Sequence, residues 1–260
     1  MAGPSPPSPG WGRLSALPTD FLSSPAPVAE DLYALIASQY EVRVLPVGVG
    51  AEPFEILLVR DSNRLLDLIS PEMFSSDERL PYWADLWTSS IDLARWLLEE
   101  CDVAGQTVLE LGSGVGLAGI AAARAGAQVT LTDYETDALL FARYNALMNL
   151  PADAFRNRIR CVPMDWRAPD TGATFGVIIG ADIVYERRNF VPILSLLQSH
   201  LLPGGRALLT EPDRAVGQAF LAAAEEYPFS LHHSYSAVVR DGKTYRISRI
   251  LLHYEPVQTT

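Results

Sequence analysis

The sequence predicts an α/β fold built on a doubly wound, mostly parallel sheet, and three observations carry that expectation. Short apolar runs (about 108–111, 128–132, 159–163, 175–180 and 206–210) alternate with helical stretches. The first run enters the glycine-rich turn Gly112-Ser113-Gly114-Val115-Gly116-Leu117-Ala118-Gly119, which opens an alanine-rich helix. The run Phe175–Gly180 is continuously apolar, as expected of a strand covered on both faces.

Taken in order, residues 1–27 are rich in Pro, Ser and Gly, cannot bury enough apolar surface to offset chain entropy, and are expected to form a disordered tail. Residues 28–80 read as a small N-terminal α+β extension: a helix over Ala29–Gln39, a hairpin of Val42–Pro46 with Phe54–Val59, and a short apolar piece at Leu65–Ile69. Residues 81–260 form the main domain. It opens on Tyr82-Trp83-Ala84-Asp85-Leu86-Trp87, where the tryptophans either pack the next helix onto the sheet or, for Trp87, wall a cofactor site. Ser89-x-x-Asp92 reads as a capping box for that helix, whose apolar face is Ile91, Ala94, Leu97 and Leu98. Beyond the alternating region, a helix carrying Phe190, Leu194, Leu197 and Leu201 stops at Pro203-Gly204-Gly205. Another helix runs from Ala215 to Glu226. Two closing strands, about 229–235 and 245–253, flank the hairpin turn Arg240-Asp241-Gly242-Lys243.

The glycine turn is the candidate cofactor site. Glycine lets the backbone take positive φ and lets a ligand approach closely, while the helix that follows aims its free N–H groups at that ligand. Gly114-x-Gly116-x-x-Gly119 also spells the dinucleotide fingerprint. Glu110 separates the two readings: a carboxylate just before Gly112 and Gly114 would repel a pyrophosphate but suits the ammonium and sulfonium of S-adenosylmethionine (SAM). If Glu110 is only a solvated strand end, NAD remains the alternative. Asp133 ends the second strand, where a carboxylate hydrogen-bonds ribose hydroxyls; the plainer account is a helix cap. Asp165-Trp166 follows the third strand and could bind an adenine amino group and cover its ring. Ala181-Asp182-Ile183-Val184-Tyr185 follows the fourth, beyond the carboxyl end where ligands of open α/β sheets bind.

Composition narrows the partners. The net charge of −11, without a sustained basic run, argues against nucleic acid and favours a cationic partner such as a lysine side chain. No apolar run reaches the roughly 18 residues of a membrane helix. Cys101 and Cys161 lack CxxC spacing and read as small core hydrophobes in a reducing compartment, with a cytoplasmic location expected. The four histidines show no metal-ligand spacing, so no metal is expected.

With these residues in view, about 80–255 resembles the class I (seven-β-strand) SAM-dependent methyltransferases, whose Rossmann-like sheet has its last strand antiparallel. Within them it is similar to family 16, lysine methyltransferases that act on folded proteins, through Trp87, Glu110-Leu-Gly-Ser-Gly-Val-Gly, Thr132-Asp133, Asp165-Trp166 and Asp182-Ile-Val-Tyr185. Tyr82-Trp83-Ala84, with Glu211-Pro212-Asp213-Arg214, looks closest to the branch acting on the electron transfer flavoprotein β subunit. That branch usually reads Asp-Pro-Gly-Arg in the last loop, so this chain departs from it at Glu211 and Asp213. The resemblance implies SAM as cofactor (S-adenosylhomocysteine as product), held by Trp87, Glu110, Gly112, Gly114, Asp133, Asp165, Trp166 and Ala181. It implies Asp182 and Tyr185 as the catalytic pair, a protein substrate presenting a lysine, and a monomer. A small-molecule N- or O-methyltransferase is the alternative, and a non-catalytic SAM-binding module a further one.

Overall fold

A computed structural model of the protein describes residues 22, 29–66 and 80–256. The expected tail over 1–27, Leu22 apart, and the end of the apolar piece at Leu65–Ile69 lie outside the described residues. The chain opens with α1 (Ala29–Gln39), the hairpin β1 (Val42–Val49) and β2 (Glu52–Val59), and one helical turn, α2 (Asn63–Leu66). After a 3-10 turn at Tyr82–Ala84 come α3 (Thr88–Glu99), β3 (Thr107–Leu111), α4 (Leu117–Arg124), β4 (Gln128–Asp133), α5 (Thr136–Asn149), α6 (Ala152–Arg158) and β5 (Ile159–Pro163). Then follow β6 (Phe175–Ala181), α7 (Phe190–His200), β7 (Leu201–Glu211), α8 (Ala215–Ala224), β8 (Phe229–Arg240) and β9 (Lys243–Tyr254).

The main sheet has seven strands in the order β5-β4-β3-β6-β7-β9-β8. The strands from β5 to β7 pair in parallel, and β9 runs antiparallel to both its neighbours. This is the expected mixed sheet with the closing strand reversed. Side chains alternate between faces along each strand. Val108, Val177, Ile179 and Leu208 therefore join one core with α3, α4, α5 and the N-terminal elements, while Leu109, Ile178, Leu209 and Ile250 join a second core with α7 and α8. The chain leaves β3 toward β4 and β5, then crosses back to β6 and β7, so a crevice opens at the carboxyl ends of β3 and β6.

The N-terminal layer packs into the first core. Asn145 of α5, fully buried, accepts the Leu57 N–H (2.8 Å) and donates to the carbonyls of Leu57 (3.2 Å) and Val115 (2.9 Å), tying β2 to the glycine turn.

Several expectations are corrected. Ser89 and Asp92 form no capping box: α3 starts at Thr88 behind Trp87, and both side chains are fully buried. Asp92 is turned inward by Arg249 of β9 (2.7 Å) and by the Ser236 hydroxyl of β8 (2.5 Å), partners about 150 residues away that no local pattern reveals. The face of α3 therefore buries Leu93, Ala94, Trp96 and Leu97, leaving Ile91 and Leu98 half-buried. Strand β7 begins at Leu201 instead of Arg206, because Pro203-Gly204-Gly205 is absorbed as an irregularity between the pairs Phe175↔Leu201 and Val177↔Arg206. Both closing strands reach the turn, whose Asp241 (φ 51°) and Gly242 (φ 72°) have the doubly positive φ of a type I′ hairpin.

Arg249 is almost wholly buried, so Asp92→Ala would strand a cation with only the exposed Glu100 beside it. Its expected cost is about 3 kcal/mol of stability, read as a lower urea midpoint with an unchanged slope.

Candidate active site

The crevice holds a cavity of about 610 Å³, and all ten residues singled out from the sequence line it: Trp87, Glu110, Gly112, Gly114, Asp133, Asp165, Trp166, Ala181, Asp182 and Tyr185. Strand ends deliver the carboxylates, since each parallel strand points its last residues at the same edge.

At one end lies the glycine turn. Gly112 (φ 61°), Gly114 (φ 51°) and Gly116 (φ 88°) all adopt left-handed backbone. A Cβ on Gly112 would sit 3.1 Å from both Ile183 and Trp166, and one on Gly116 would lie 2.8 Å from the Ala142 Cβ. The turn thus presents bare backbone that a side chain would obstruct. Gly116 caps α4, and Leu117 at the start of that helix lines the cavity.

Glu110 lies beneath this turn and is buried. Its Oε2 has no hydrogen-bond partner of ordinary geometry. Burial pushes its carboxyl up to about 8; Ser113 and the Gly119 amide only temper that shift, and the nearby Asp133 adds to it. A buried carboxylate left unsatisfied at a cavity wall is the complement of a cation. The residues therefore fit a cationic cofactor better than a diphosphate.

Asp133 accepts from the N–H groups of Gly114 (2.9 Å) and Glu135 (2.9 Å), so it braces the glycine turn as well as the start of α5. Burial raises its carboxyl to about 6 despite those amides. Asp165 is forked by Arg167, with contacts of 2.8 to 3.0 Å, and Trp166 lies against Gly112. The two tryptophans part company in role. Trp83 is buried against Tyr40 and Phe141, while Trp87, half-buried, donates its indole N–H to the Tyr82 carbonyl (2.8 Å) at the cavity wall.

At the other end, Asp182 has φ 57°, an uncommon backbone for a residue with a side chain, held by its N–H donating to the Thr210 carbonyl (2.7 Å). Its carboxylate is gripped by the guanidinium of Arg214, a pairing the sequence reading missed. The available signal was position: Arg214 lies in the loop beyond β7, at the same sheet edge. Burial raises the Asp182 carboxyl, and Arg214 opposes that rise. Tyr185 meets Tyr82 edge-on (5.6 Å between ring centres), and Tyr82 meets Trp87 likewise (6.0 Å), giving an aromatic corner beside Asp182. Burial pushes the Tyr185 phenol up to about 12, which keeps it neutral.

A family model described as lysine methyltransferase matches residues 77–225, more than half of the chain. The chain belongs to the lysine methyltransferase family. Protein N-lysine methyltransferase METTL21A of Xenopus tropicalis is 36% identical over 113 residues, which cover 43% of this chain and 52% of that protein. The electron transfer flavoprotein beta subunit lysine methyltransferase of Danio rerio is 31% identical over 138 residues, covering 52% and 51%. The chain spans about half the length of these relatives. Among solved structures, a methyltransferase from Pyrococcus furiosus matches with a TM-score of 0.52 at 20% identity, over 75% of this chain and all of that one, a likeness of fold.

The buried carboxyl makes a pH prediction for the cofactor-free protein. Glu110 titrates near 8 when folded and near 4.5 when unfolded, so its contribution to stability is whole below about pH 4.5 and fades as pH climbs through 8. Melting temperature should fall between about pH 5 and 8 in the native protein and level off above that, and Glu110→Gln should flatten that fall, gaining on the order of a few kcal/mol at the alkaline end.

Proposed function

We propose that this protein is a SAM-dependent N-methyltransferase whose acceptor is a lysine ε-amine of a folded protein. The observation that carries the reading is one cavity lined by a buried carboxylate, Glu110, with one oxygen lacking a partner under the glycine turn, and by the Asp182–Tyr185 corner at its other end. Glu110 would face the charged methionine part of SAM, Asp133 the ribose hydroxyls, and Trp166 with Asp165 the adenine. Trp87, Gly112, Gly114 and Ala181 would line its path. When bound, SAM supplies an activated methyl group next to a fixed positive charge.

The chain's residues then have two tasks. Holding acceptor and donor in line can supply roughly 7–11 kcal/mol of the barrier reduction. A lysine of pKa about 10.4 is neutral only about once in a thousand at neutral pH, a deficit of about 4 kcal/mol that the site must offset. Asp182 receives and orients the amine, and Tyr185 forms an aromatic wall against which a cationic group can rest. None of the described residues 29–66 lines the cavity, so those N-terminal elements do not form the deep lid a small-molecule acceptor would need. A protein surface, presenting one side chain, fits the open mouth beside Tyr82 and Arg188.

Incubation with tritiated SAM and the proteins of cells lacking this enzyme should label a lysine. Label confined to metabolites, or none, would remove the reading. Asp182→Ala and Tyr185→Ala should each abolish transfer while leaving SAM affinity within a few-fold by calorimetry. Glu110→Gln should instead weaken SAM by about tenfold or more.

A further inference from the structure

We infer that Arg214 is the charge partner that lets Asp182 hold an incoming lysine amine without holding its proton. This rests on the lysine reading above and adds a tuning residue to that same site.

A carboxylate beside a lysine has two opposed effects. It orients the nitrogen through a hydrogen bond, and it favours the ammonium form, which has no lone pair to attack with. The geometry here separates the effects. Asp182 is buried at the cavity wall, and its two oxygens face Nη1 and Nη2 of one guanidinium, the second at 3.3 Å. Each carboxylate oxygen keeps a lone pair for the amine, while the pair as a whole is neutral.

Much local structure goes into making this pair. The Arg214 backbone N–H donates to Oε2 of the buried Glu211 (2.8 Å). The preceding Asp213 takes φ 50°, a left-handed conformation uncommon for a residue with a side chain. Asp213 in turn meets Arg246 of β9 (3.4 Å). On the opposite side, the Ser89 hydroxyl of α3 stands 3.5 Å from Asp182 Oδ2.

The other charged groups around this corner do not supply that balance. Glu211 behind it is a further carboxylate, and burial raises its carboxyl. Asp133 across the cavity is another. Glu186 on the loop after β6 is paired with Arg188. Tyr185 is a phenol that burial pushes up to about 12, so it stays neutral.

In the reaction the bound ammonium gives one proton to water. The freed nitrogen lone pair forms the new N–C bond as the methyl group's bond to its donor sulfur breaks, and the sulfur keeps that electron pair. Positive charge thereby passes from donor to acceptor. Arg214 acts on the first step, by making the proton easier to lose.

The test follows initial rates of lysine labelling, with saturating tritiated SAM and proteins of cells lacking the enzyme, from about pH 6.5 to 9.5. The wild type should rise to a plateau with a midpoint well below that of free lysine. R214Q should move the midpoint up by about one unit, running about tenfold slower at pH 7.5 and approaching the wild-type plateau at high pH. R214K, which restores the charge, should return most of the shift. S-adenosylhomocysteine affinity by calorimetry should stay within about threefold in both, since neither the charge nor the fork holds the cofactor. A melting scan identifies an unfolded variant, and R214M then replaces R214Q in the same assay. An R214Q midpoint equal to the wild type's, or a loss uniform across pH, overturns the role of Arg214 alone. Absence of lysine label from the wild type overturns the lysine reading, and this inference with it.

Discussion

Five parallel strands bring carboxylates to one edge of one sheet, and the fold has to satisfy that concentration of negative charge. Glu110 in β3, Asp133 ending β4, Asp165 after β5, Asp182 after β6 and Glu211 ending β7 stand in a row set by the strand order. Water cannot screen them there, because all but Asp165 are buried. Each is therefore answered locally, and the manner of the answer separates their roles. Backbone amides answer Asp133 and Glu211, while guanidinium groups answer Asp165 and Asp182. Glu110 and Glu211 each keep one buried oxygen without a partner, and of these two only Glu110 lines the cavity.

The distribution of answers also orders the cavity. The amide-braced carboxylate, Asp133, ties the glycine turn to the neighbouring strand, so that end of the cavity is held by backbone. The arginine-paired carboxylate, Asp182, is held at the other end by a side chain from the loop after the neighbouring strand β7. Left-handed Asp182 and Asp213 show how firmly the corner is held, since such a backbone persists only when surrounding contacts impose it.

The supporting layers serve the same edge. The two closing strands carry Arg249 and Ser236 against Asp92, which fixes α3 and with it Ser89 and Trp87. From the other side, Asn145 stitches the N-terminal hairpin to the carbonyl of Val115 in the glycine turn. The second set reaches the cavity through Val115, and both decide where its walls stand.

What the sequence determined by itself was the alternation of strands and helices, the glycine turn and the acidic residue after or at the end of each strand. These are local: a strand of apolar residues, a positive-φ turn and a strand-end side chain are specified by a few neighbours in the chain, and parallel pairing then forces the ends to one edge. The capping-box reading of Ser89 and Asp92, the early start of β7 and the pairing of Asp182 with Arg214 were decided only in three dimensions. Asp92 and Arg249 are 157 residues apart, and Asp182 and Arg214 are 32 apart on different loops. An ion pair buried between distant segments leaves no periodicity in the chain, because its energy comes from desolvating two charges together and neither residue's neighbours carry that information.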